Sequence, residues 1–253
     1  MKKCLFIMIL SMFCWGSAYA EFTKPEYRDV VVEFVRAVKT DDPDKIGDVI
    51  DFPLGRSYPL PTVNDKKEFI QRYDEIFDEY LRTAIVNSDI DEDWADVGWR
   101  GIMFNRGILW LTHSGALRAL NRLSEIEADK RRVIIEKERQ GLHESLREFK
   151  MPEFIIETEK FKVRVDQMDG YKYRYASWPK GADMSKKPDL VINNGEIKYE
   201  GSGGNHYYKF KNGKYTYIVS VTVIGHSESA PYYLAVSHND DGLLLDQPAY
   251  QVK

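Results

Sequence analysis

The chain has 253 residues, 43% hydrophobic and 30% charged, which excludes a wholly disordered or collagen-like polymer. Lys2 and Lys3, the apolar run Cys4 to Phe13 broken only by Ser11, and Ala18-Tyr19-Ala20 read as an export signal cleaved after Ala20. The 233 residues that remain carry 34 basic and 40 acidic side chains, a net charge of −6 and a poor footprint for nucleic acid.

Both cysteines, Cys4 and Cys14, lie inside that signal, so the mature chain is expected to hold no disulfide, thiolate metal site or cysteine nucleophile. Cys14 does not follow the lipobox pattern, because Phe13 and Ser11 stand where a small residue and leucine belong. No second long apolar run follows Ala20, so no membrane span is expected. The expected location is periplasmic or secreted.

In chain order, Thr23 and Glu26 have capping-box spacing ahead of an apolar stripe from Val30 to Val38. A short helix is predicted from Pro43 to Ile50. A long one spans Phe69 to Ala84, capped by Asp65. The period then changes to two. Val97 to Phe104 alternates as a strand, Asn105-Arg106-Gly107 reads as a hairpin loop, and Ile108 to Thr112 returns as its partner. A third strand is expected within Ala116 to Leu123. Ser124 and Glu127 open a charged helix running towards Phe149, with a thin apolar stripe, which reads as a half-exposed connector closed by Pro152.

From there the chain reads almost wholly β. Asp169-Gly170, Asn194-Gly195, Asn212-Gly213 and Asp241-Gly242 are favoured two-residue turns. Tyr171, Tyr173 and Tyr175, and Tyr215, Tyr217, Val219, Val221 and Val223, alternate with polar partners. Eight or nine short strands predict an antiparallel sandwich or small barrel. The expected division is a signal (1–20), an α+β cone-like domain (21–123), a connector helix (124–151) and an all-β domain (152–253), with the two halves folding separately.

Residues 25–123 resemble the nuclear-transport-factor-two-like superfamily. The likeness rests on Pro43-Asp44-Lys45-Ile46, the Phe69 to Ala84 helix, and the strand pair Trp99-Arg100-Gly101-Ile102-Met103-Phe104 and Ile108-Leu109-Trp110-Leu111. It implies helices packed into a bent sheet. That superfamily holds isomerases, dehydratases and non-catalytic modules, so the resemblance does not select a function.

No intact catalytic motif is present. His143-Glu144 lacks a second histidine, because Arg147 stands in its place. Asp89, Asp91 and Asp93 echo a calcium loop, but Trp94 and Arg100 replace its glycine and its glutamate. Ser202 and His206 with Asp240 or Asp246 are the residue types of a triad without its spacing signature. No cofactor or metal is expected. Two sets of binding candidates remain. In the β half they are Tyr173, Arg174 and Trp178 on an aromatic strand, with Ser202, Asn205, His206 and Tyr207 around Gly201-Ser202-Gly203-Gly204. Those glycines mark a bulge or a close backbone approach. In the first half, Tyr73, Trp99, Arg100 and Trp110 are candidates for lining a cone cavity, although Trp99 and Trp110 also read as core. The expectation is a non-enzymatic binding protein of the bacterial envelope, meeting a protein or glycan. The alternative is a small-ligand binder or enzyme using the cone cavity.

Overall fold

The computed structural model describes residues 22–226, 228–239 and 242–252; the segment expected to be an export signal (1–20) lies outside them. Among the described residues no helix is long and apolar enough to cross a membrane. The first part holds α1 (Pro25–Lys39), α2 (Pro43–Gly47), α3 (Lys66–Gln71), α4 (Tyr73–Ile76) and α5 (Glu79–Val86). A four-stranded antiparallel meander follows, made of β1 (Trp94–Asp96), β2 (Ile102–Phe104), β3 (Leu109–Leu111) and β4 (Leu117–Leu120). Val31, Phe34 and Val38 on α1 share one core with Leu81 and Ile85 on α5. The inward residues Ile102, Phe104, Leu109 and Leu111 close that core from the sheet, as the period of two requires. Its buried tryptophan is Trp94, packed 4.6 Å from Phe104 and donating its indole N–H to Ser88 Oγ at 2.9 Å.

Three local expectations are corrected here. The helix predicted over Phe69 to Ala84 is three short ones. Phe77 leaves helical geometry and Asp78 starts a new helix, its carboxylate accepting from Leu81 N at 2.9 Å. Arg122 holds the same carboxylate through two bonds of 2.7 and 2.8 Å, so a partner 44 residues away stabilises the break. Thr23 does not cap α1: Lys24 is the cap residue, and Thr23 donates to Asp96 instead. The strand predicted from Val97 is shortened to Ile102–Phe104, because Gly98 and Gly101 both take positive φ and the chain turns between them. Asp65 does cap its helix, accepting from Glu68 N at 2.9 Å, and Ser124 caps α6 (Glu125–Gly141) through Glu127 N at 3.0 Å.

α6 ends at Gly141, earlier than predicted, and a segment with a single 3-10 turn (Glu144–Leu146) continues to Phe149. The helix is bolted to both sides. Towards the first part, Arg56 pairs with Glu127, both side chains fully buried, and also bonds the carbonyls of Leu120 and Arg122. Glu138 then receives Tyr58 Oη at 2.7 Å on one oxygen and Arg164 Nη1 at 3.0 Å on the other. Ile135, Leu142, Leu146 and Phe149 pack over Ala176 and Trp178 of the β part.

That β part is a closed, eight-stranded antiparallel meander, resolving the sandwich-or-barrel alternative. Its strands are β5 (Met151–Glu157), β6 (Phe161–Gln167), β7 (Tyr173–Pro179), β8 (Leu190–Tyr199), β9 (His206–Asn212), β10 (Tyr215–Val221), β11 (Tyr232–His238) and β12 (Gly242–Gln251). Each pairs with the next, and β12 returns to β5 through Tyr250↔Glu157 and Gln251↔Ile156. Closure leaves no long free edge for another chain to extend. Asn194-Gly195 is not a hairpin turn. It lies inside β8, where Asn194 takes φ 62° and the register with β7 shifts. A Cβ on Gly195 would lie 2.2 Å from the Phe210 ring, so the glycine makes room for a core aromatic across the bulge.

Candidate functional site

β1 ends at Asp96, and the next five residues form a tight turn. Val97 N donates to Gly101 O and Gly101 N to Gly98 O, both at 2.9 Å. The Asp96 side chain is buried, and it holds the turn from below by accepting from Gly98 N at 3.0 Å. Thr23 Oγ1 donates to its other oxygen, and His113 Nε2 lies 3.0 Å away. The His113 ring stacks on Tyr27 at 4.2 Å. Thr23 and His113 both point at the carboxylate and not at each other, so this Asp–His pair is an anchor without the nucleophile geometry of a triad. Burial alone would raise the Asp96 carboxyl; the bonds from Thr23, His113 and Gly98 outweigh it and hold the group below its ordinary value.

The anchored turn presents Trp99, which is 61% exposed, to the β8–β9 end of the barrel. A Cβ on Gly203 would lie 2.8 Å from Trp99 Cη2 and 3.4 Å from Ile224 Cδ1, so glycine at this point lets the indole approach the barrel backbone. Val223 and Ile224 flank the contact, 59% and 42% exposed, and Tyr199 stands exposed beyond His206. Asn205 ties the two barrel loops together. Its Nδ2 donates to Ile224 O, and its Oδ1 accepts from Val223 N and Ile224 N, all at 2.9 Å. His206 donates through Nδ1 to Gly204 O at 2.7 Å, with its ring 5.5 Å from those of Tyr199 and Tyr208. Behind it, Tyr208 Oη donates to Glu153 at 3.0 Å; burial pushes the Glu153 carboxyl up against the pull of Tyr208, His206 and Arg131. The face is therefore composite, with a tryptophan from the first part laid against Gly203 of the barrel and with Ile224 and Val223 beside Gly203 and Gly204.

Of the candidates read from the sequence, Ser202 is exposed at the tip of this turn, Asn205, His206 and Tyr207 are half-buried beside it, and Trp99 joins them. Tyr173, Arg174 and Trp178 do not. Tyr173 points into the barrel, and Arg174 is buried on its outer wall, donating to the carbonyls of Leu146 and Glu148 at 2.7 and 3.0 Å. Trp178 is 1% exposed and donates to Lys186 O at 3.0 Å. The four cavity candidates do not meet in one cavity. Tyr73 is in the helical core with its hydroxyl on Asp41 at 2.8 Å, whereas Arg100 lies over the Trp110 ring at 5.8 Å. Trp110 faces away from its buried neighbours Leu109 and Leu111 on β3. Val223 and Ile224 were not anticipated. The sequence signal that could have found Trp99 is the pair of glycines at 98 and 101, which brackets it in a turn.

Asp89, Asp91 and Asp93 shape their own loop. Asp89 Oδ1 accepts from Asp91 N, Asp93 Oδ2 accepts from Asp89 N, and Arg28 binds Asp91. Among the described residues there is no group of three or more His, Cys, Asp or Glu placed to hold a metal. His206 Nδ1 is committed to Gly204, Asp246 is exposed on β12, and Asp240 lies outside the described residues. Comparison with protein-family models, characterised proteins and solved structures finds no match to this chain.

The anchor sets a pH dependence. A carboxyl lowered in the folded state stabilises that state fully above the unfolded value of ~3.9, and this contribution is lost as pH falls through the lower folded value. The melting temperature of the wild type is therefore expected to fall more steeply on acidification than that of Asp96→Asn. Parallel curves for the two proteins would mean that Asp96 does not couple to folding.

Proposed function

We propose that this chain is an exported, non-enzymatic binding protein of the bacterial envelope, and that its contact surface is the composite face around Trp99. The observation that carries the reading is the exposed Trp99 indole, on a turn held by the buried Asp96 anchor and laid against Gly203, which Ile224 also approaches. A large exposed aromatic on a held backbone has only its own two side-chain torsions left to order, and such residues supply most of the energy at protein interfaces. The neighbours select between the two partner classes. Val223 and Ile224 offer no hydrogen-bonding groups, so the hydroxyls of a glycan would be left unpaired over them, whereas an apolar protein surface would not. Asn205 acts by holding the two loops in register, and Ser202 and Tyr207 belong to the rim.

The test compares the wild type with the double variant Trp99→Asp/Ile224→Asp as bait for an envelope fraction, followed by affinity measurement on the purified captured protein. Both substitutions are at exposed positions, so the melting temperature should stay within a few degrees. A partner bound by the wild type and at least ~100-fold more weakly by the variant is expected, as for loss of a central hot spot. Equal affinity for both proteins, or no specific capture by the wild type, would defeat the proposal.

A further inference from the structure

The end of the barrel remote from Trp99 has a different character. Strand direction places the β5–β6, β7–β8, β9–β10 and β11–β12 connections there, whereas the β8–β9 turn that meets Trp99 lies at the opposite end. At the Trp99 end the interior is filled by aromatic rings. Phe154, Tyr173 and Tyr208 pack with centroids about 5 Å apart, at 5.4 Å for Phe154–Tyr208 and 4.8 Å for Tyr173–Tyr208. At the remote end the inward positions include the small residues Ser177 on β7 and Val236 on β11, and a cavity of about 290 Å³ remains. An eight-stranded barrel is just wide enough either to be filled by side chains or to hold one small molecule, and this chain does one at each end.

The cavity opens to solvent. Leu244 on its rim is 53% exposed and Phe161 36%, so apolar side chains line the way in. Its floor has Leu234, fully buried, and Tyr175 with Tyr217 at a ring separation of 5.5 Å. The polar groups inside are hydroxyls. Burial pushes the Tyr175 phenol up to about 12 against the pull of Ser177, so it stays a neutral donor and acceptor at any physiological pH. The one charged lining residue is Asp189, exposed at the mouth; no lining residue among those described carries positive charge.

We infer that this mouth of the barrel is a binding site for a small, neutral, predominantly apolar molecule bearing one hydroxyl or carbonyl group. Three features define the class. The volume stands at the lower end of ligand pockets, about 300–1,000 Å³, which limits the occupant to a single ring or a short chain. The apolar walls reward burial of hydrocarbon, while the Tyr175, Ser177 and Tyr217 hydroxyls can orient one polar atom. An anionic headgroup would be buried without a cation and beside Asp189, which disfavours fatty-acid-like ligands. The site is independent of the Trp99 face and needs no protein partner.

The probes are 1-octanol and octanoate, matched in chain length and differing in charge. Calorimetry with the purified protein at neutral pH should show one saturable site for 1-octanol, with amide resonance shifts centred on Ser177 and Val236. Octanoate should bind about tenfold more weakly or worse. Val236→Phe, which fills the cavity, should remove 1-octanol binding about tenfold or more while keeping a β-rich spectrum and a cooperative melt. Leu244→Arg, on an exposed rim position, serves if Val236→Phe does not fold; it should strengthen octanoate relative to 1-octanol by about tenfold. No saturable 1-octanol binding, shifts centred elsewhere, equal binding of the two probes, undiminished binding by a folded Val236→Phe, or an unchanged preference in Leu244→Arg would each overturn the inference.

Discussion

Replacing Asp166 by asparagine is expected to destabilise the protein by about 3–5 kcal/mol, among the largest losses a single isosteric change can cause here. Asp166 lies on the outer wall of the barrel, fully buried under α6 and the segment that follows it. Its two oxygens receive Arg164 Nε at 2.8 Å and Arg174 Nη2 at 2.7 Å, and both arginines are themselves buried. Burial raises the carboxyl above its ordinary value against the pull of the two guanidiniums, and a donor from a cation on each of its oxygens is the contact set of a carboxylate. Asparagine keeps the shape but removes the charge, leaving two cations in a low-dielectric layer with one carboxylate, Glu138, at its edge. Chemical denaturation measures the loss. The triple variant Arg164→Met/Asp166→Leu/Arg174→Met should recover much of it, because removing all three charges removes the desolvation cost together with the attraction. A loss below about 1 kcal/mol for Asp166→Asn would show that solvent reaches the cluster.

Gly101→Ala is expected to cost about 3 kcal/mol or more and to scramble the Trp99 turn. Gly101 has φ 99°, a region that L residues rarely enter, and a Cβ there would lie 2.2 Å from Leu111 O in the neighbouring strand. Backbone cannot give way as a long side chain can, so either the turn or the β2–β3 pairing must shift. Gly98→Ala is the control. It also has positive φ, but a Cβ there meets nothing within 4 Å, so its cost should stay near 1 kcal/mol. Similar melting temperatures for the two variants would remove the argument that the turn is held by this close approach.

Much of the fold was legible because it depends on local chemistry. Asp65 and Ser124 cap helices as expected, accepting from Glu68 N and Glu127 N. The alternation of Tyr173, Tyr175, Val219 and Val221 marked strands whose inward residues fill the barrel, whereas Tyr171 and Val223, read as part of it, fall outside those strands and are exposed. What was not legible depends on partners far away in sequence. The break at Asp78 is stabilised by Arg122, and barrel closure by two residue pairs between β12 and β5. Asn194-Gly195 carries the chemistry of a hairpin turn, but the Phe210 ring across the sheet uses the glycine as space within a strand. The site was half legible for the same reason. The glycine-rich turn drew attention to Asn205 and His206, yet what the glycines admit is Trp99, from a part of the chain about a hundred residues earlier. Trp99 itself read as core because its alternation with Val97 and Gly101 resembles a strand. Trp94, outside that pattern, is the tryptophan that the core uses.

The central claim is that the face formed by Trp99, Val223 and Ile224 meets another protein in the cell envelope. A photo-cross-linking amino acid introduced at Ile224 tests it most directly, with Val133 as the control position, since that side chain is 71% exposed and sits on α6, which contributes no residue to the face. After irradiation of cells exporting the protein, Ile224 is expected to give a discrete adduct of higher mass, Val133 none, and Trp99→Asp in the same chain should abolish it. No adduct at Ile224, or an adduct that survives Trp99→Asp unchanged, would contradict the account.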